Sequence, residues 1–228
     1  GKLKTIIISL PEFHSQNWST QQARKFGFKG KIIVPITSKG DLNILKDSGA
    51  DLLVLEMLLD VDPSKILLNA ALQTGLPVWV GLSCCDSKFD NSVIGRNFRA
   101  EKEKSLIYDE NKYNDQPKYL PEDKIILLED IIKSLMSLGG DVYGIMHTWF
   151  QDSISGLKIL KNNWKGPIMF YPEIHKFDTN THKAIITMTE EEFSNSILEL
   201  IDDQIQIVGG CCGVNDKHLK RLIQSISE

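Results

Sequence analysis

Seven short apolar runs, each separated from the next by polar or helix-patterned sequence, constrain this fold more than any other feature. The runs are TIIISL from Thr5, KIIVPIT from Lys31, DLLVLEM from Asp51, PVWVGLSC from Pro77, DVYGIMHT from Asp141, PIMFYPE from Pro167 and IQIVGGCC from Ile205. Most are apolar at nearly every position, as strands covered on both faces must be. Between them lie amphipathic stretches such as PSKILLNAALQTG, PEDKIILLEDIIKSLMSLGG and EEEFSNSILELIDD. Several close on a glycine suited to a helix C-cap, and Thr189 precedes three acids as an N-cap does. This alternation predicts a parallel sheet. A (β/α)₈ TIM-like barrel fits the order, although seven strand candidates leave it one short. An open doubly wound sheet is the alternative, but no GxGxxG follows the first strand and no Walker loop occurs.

At 228 residues the chain reads as one domain over 1–228, large enough to bury a core without staples. A net charge of −4 gives no reason to expect a nucleic-acid or anionic-membrane partner. No apolar run approaches the roughly 20 residues of a membrane span, and the opening GKLKTIIISLPEF is too short in apolar residues for a secretory signal. The cysteines come as two adjacent pairs, Cys84–Cys85 and Cys211–Cys212, and neighbours rarely bridge each other. A reducing cytoplasm is therefore expected, where such pairs read first as metal ligands or catalytic groups. One polar insertion, residues 86–122, interrupts the rhythm and shows no clear buried element. On a barrel it follows a strand end and reads as a lid or as a variable surface loop.

Parallel strands point their C-terminal ends at one face, so distant residues converge there. Glu56, Cys84–Cys85, His147 and Cys211–Cys212 all sit at such ends. His147, Cys211 and Cys212 make a plausible zinc set of two thiolates and an imidazole, leaving a fourth position open. The competing reading is that the cysteines are small buried hydrophobes and His147 an ordinary hydrogen-bonded residue. Spacing alone leaves the two readings open.

DQIQIVGGCCGVNDKHLKRLIQSI resembles the C-terminal segment of the homocysteine S-methyltransferase family, with His218 and Leu219 at the helix start. SGADLLVLEM, GLPVWVGLSC and PIMFYPE resemble three of its strands, in order from about Ser48 onward. The resemblance implies zinc-dependent methyl transfer to a small thiol such as homocysteine, giving methionine or a related thioether, from a donor it does not identify. It implies Cys211 and Cys212 as zinc ligands and Glu56 as the acid that holds the substrate's amino group.

Three departures qualify it. The family's third ligand is a cysteine preceded by asparagine; here Met146 and His147 stand in those places. Glu173 stands where the family has asparagine, which implies an added carboxylate at the substrate site. The family's N-terminal glycine-rich strand has no counterpart, so either the barrel is incomplete or remodelled there, or the chain is a piece of a longer protein. Cys84 is expected to be buried and inert, Cys85 to stand in reserve should His147 not ligate, and His175 to face the site more readily than His14 or His182. The rival expectation is a repurposed, non-catalytic barrel that binds a small molecule or protein without zinc.

Overall fold

The computed structural model describes residues 5–7, 21–25, 29, 31–36, 42–47, 49–87, 92–95, 126–178 and 183–227. All seven apolar runs form strands of one sheet: β1 (Thr5–Ile7), β2 (Lys31–Ile36), β3 (Leu52–Leu58), β4 (Val78–Leu82), β7 (Val142–Trp149), β8 (Ile168–Glu173) and β11 (Ile205–Val208). Their spatial order follows the chain, β1-β2-β3-β4-β7-β8-β11, and every neighbouring pair is parallel. Parallel neighbours need crossovers, and the helices between the strands include α1 (Leu42–Asp47), α2 (Val61–Gln73), α3 (Leu128–Met136), α4 (Phe150–Asn163) and α5 (Glu190–Leu198). The final helix is α6 (Asp216–Ser227). The sheet curls as a barrel does, but among the described residues no ladder joins β11 back to β1. The described strands are consistent with the incomplete barrel expected from the sequence.

Along β3, β4, β7 and β8 the residues divide between two cores with period two. Leu53, Leu55, Val80, Tyr143, Ile145 and Phe170 join the large core that includes helix residues such as Leu68, Ile131, Leu157 and Phe193. Their neighbours Leu52, Val54, Val142 and Met169 form a second cluster, with Ile33, Trp79, Tyr171 and Ile207 packed against it. Two apolar faces are why the runs show no polar alternation.

The segment from residue 86 needs a correction. β5 (Cys84–Asp86) and β6 (Val93–Gly95) form an antiparallel hairpin, and Val93 and Ile94 are 9% and 5% exposed. A buried element therefore lies inside the stretch expected to have none, because three residues are too few to display a period. The expected lid from residue 96 onward, His14 and His182 lie outside the described residues. A second hairpin, β9 (His175–Asp178) with β10 (Lys183–Ile186), follows β8. Among the described residues no helix is long and apolar enough to cross a membrane.

Candidate metal centre

The end of β7 is braced before it reaches His147. The Met146 carbonyl accepts hydrogen bonds from Ser83 Oγ at 3.0 Å and Thr148 Oγ1 at 2.9 Å. Thr148 Oγ1 in turn accepts the Cys84 N–H at 2.9 Å, and all three side chains are buried. Just beyond, the register with β8 breaks between Met146 and Trp149, and His147 takes a left-handed φ of 45°. The same happens at the end of β3, where the register with β4 breaks between Leu55 and Leu58 and Met57 has a φ of 59°. The Met57 N–H is turned onto the Met146 thioether sulfur, 3.2 Å away. These are the only non-glycine residues with positive φ among those described. Each such conformation costs roughly 1–3 kcal/mol and persists where its surroundings enforce it, most often at functional sites.

The second half of the site is the turn after β11. Gly209 N–H donates to the Phe170 carbonyl at 3.1 Å, Cys211 N–H to that of Pro172 at 3.0 Å, and Ile174 N–H to that of Cys212 at 2.9 Å. The cysteine turn is thus laced along the end of β8, carrying the pairing past the last regular strand residue. Gly213 closes it with a φ of 89°, and a Cβ there would come within 3.0 Å of the His175 backbone. Only glycine meets both demands without strain.

This places Cys211 Sγ 3.6 Å and Cys212 Sγ 3.9 Å from His147 Nδ1, with the two sulfurs 3.9 Å apart. The bond lengths of tetrahedral zinc set sulfur and nitrogen ligands about 3.5–3.8 Å apart. The donor set and its spacing therefore fit zinc. Between the sulfurs, Cys211 donates to Cys212, which lowers the pKa of Cys212, aided by His147, and raises that of Cys211. The pair thus favours one thiolate beside one thiol, a distribution that a cation would change.

Three other groups border the cluster. Glu56, at the end of β3, has its carboxyl pushed up by burial, opposed by the positive charge available on His147. Glu173 is 3% exposed, with Oε2 3.5 Å from His147 Nδ1. Tyr171 lies two residues before it, with its hydroxyl 3.2 Å from where a Gly81 Cβ would stand. That hydroxyl is buried and has no hydrogen-bond partner among the described residues. The sequence reading missed Tyr171, although i, i+2 alternation from Glu173 was the available signal.

Cys84 is buried as expected, at 1% exposure. Cys85 is buried within the hairpin. His218 ties the fold together instead: its Nε2–H donates to the Met188 carbonyl at 3.2 Å, and its ring packs edge-on against Phe193.

Residues 127–226 match the homocysteine S-methyltransferase family, a span that takes in His147, Glu173 and both cysteines of the turn. No curated protein matches the chain by sequence. Among solved structures, the apo form of the homocysteine methyltransferase MmuM from Escherichia coli is similar with a TM-score of 0.61 at 13% identity, covering 97% of this chain and 79% of that one. Its metallated form gives 0.58 at 13% identity, covering 93% and 70%. The 3-hexulose-6-phosphate synthase from Salmonella typhimurium gives 0.50 at 14% identity, covering 97% and 87%. At such identities the structures speak for the fold alone. The family match supports the resemblance, in divergent form, and starts at residue 127 rather than near Ser48.

Proposed function

We propose that this chain, a divergent relative of the homocysteine S-methyltransferases, transfers a methyl group to a small thiol such as homocysteine, giving methionine or a related thioether. His147, Cys211 and Cys212 would hold the zinc ion. The observation that carries this reading is the spacing of three donors from two strand ends, all within 4.8 Å of one another. Bound zinc supplies the Lewis acidity that keeps a substrate thiol ionised at neutral pH. An imidazole in place of a third thiolate donates less charge, leaving more of that acidity for the substrate.

The chain's own residues do the orienting. Glu56 accepts hydrogen bonds from the substrate's ammonium group, as a carboxylate at the rim of such a site is suited to do. Tyr171 offers its unpartnered hydroxyl as a donor. The braced Met146 carbonyl and the left-handed turn at His147 hold the imidazole against the cysteine turn, so little ordering remains when a ligand arrives.

The rival reading is a repurposed barrel that binds without zinc. It draws on a sheet that does not close among the described residues and on a family match confined to residues 127–226. Calorimetric titration of L-homocysteine into zinc-loaded and chelator-treated protein separates the two. Zinc-dependent binding is expected, weakened about tenfold or more by Glu56→Gln. Equal binding to both preparations, or none to the zinc-loaded one, favours the rival.

A further inference from the structure

The donors do not end with His147, Cys211 and Cys212. A second set, Glu173, His175 and Cys212, also has its ligand atoms within 4.8 Å of one another. The two sets share Cys212. Glu173 and His175 are two residues apart on extended chain and so share a face, while Ile174 between them is fully buried in the large core. The Ile174 N–H to Cys212 carbonyl bond, 2.9 Å long, pins this segment against the cysteine turn. His175 Nδ1 is buried and has no hydrogen-bond partner among the described residues, a lone pair or proton left for something else. Glu173 Oε2 lies 3.5 Å from His147 Nδ1, so the second set directly adjoins the first.

We infer that Glu173 and His175 form a second divalent-cation position, joined to the first through the Cys212 thiolate. Carboxylate, imidazole and thiolate together suit zinc or a similar borderline cation. Shared-ligand pairs of this kind hold their ions about 3.5–4 Å apart. This assigns Glu173 to the cation rather than to the substrate, and it rests on the first zinc position proposed above.

The test is metal stoichiometry. Apo protein, prepared with chelator under reducing conditions, is titrated with Zn²⁺ against a chromophoric competitor, and bound metal is confirmed by elemental analysis after gel filtration. Wild type is expected to take up two ions per chain. Glu173→Gln and His175→Ala are each expected to take up one, with circular dichroism unchanged. Using two variants guards against one that fails to fold. One ion in wild type, or two retained in both folded variants, overturns the second position while leaving the first standing. No uptake by wild type removes both.

Discussion

Tyr171 carries a hydroxyl that is buried without a hydrogen-bond partner among the described residues. Such a group costs about 1–3 kcal/mol in the free protein and is retained where a ligand satisfies it. Tyr171→Phe is therefore expected to leave the ligand-free protein as stable or more so in urea unfolding, while weakening homocysteine binding. A loss of stability together with unchanged binding would contradict that role. At this scale the sequence exposed only part of the site. Cys211 and Cys212 were visible because flanking glycines mark a turn at a strand end. The left-handed turns at Met57 and His147, and the Met57 N–H on the Met146 sulfur, were not. They arise from register breaks between strands, which no single run of residues encodes.

The elements nearest the centre hold by close packing and caps. A Cβ on Gly144, in the middle of β7, would run into the Met169 side chain and carbonyl on β8. Gly144→Ala is expected to destabilise the fold by about 1–3 kcal/mol or more, since backbone on a central strand has little room to move; a thermal midpoint unchanged from wild type would speak against this packing. Asn215 Oδ1 accepts the Lys217 N–H at 3.0 Å and the His218 N–H at 3.3 Å, capping α6 directly after the cysteine turn. Asn215→Ala is expected to cost about 1 kcal/mol in denaturant unfolding. The start of α5 should also respond to pH. Glu192 accepts from the Thr189 backbone and hydroxyl, which holds its carboxyl below the usual glutamate range. Its contribution is present above the unfolded-state value, about 4.3, and is lost as pH falls through the lower folded value. The stability gap between wild type and Glu192→Gln should therefore narrow on acidification. The strands themselves were legible as apolar runs, because burial on two faces removes polar positions. The hairpin of β5 and β6 was not, being three residues a side within polar sequence.

Across the whole molecule, seven parallel strands in chain order deliver residues from β3, β7, β8 and the turn after β11 to one end of the sheet. This convergence is a consequence of parallel topology, and it is why strand-end residues group from the sequence alone. What the topology could not announce was the meeting of Glu173 and His175 with Cys212, which depends on hydrogen bonds that carry β8 pairing past its last residue. If His147 completes a metal site with Cys211 and Cys212, zinc affinity must depend on its imidazole. Competitive zinc titration of apo wild type and His147→Ala, both checked for folding, is the measurement. Tight uptake by wild type, with zinc affinity lowered tenfold or more in His147→Ala, is the expected result. A wild type that takes up no zinc, or a His147→Ala protein that binds it equally well, would show that His147 is not a ligand of such a site.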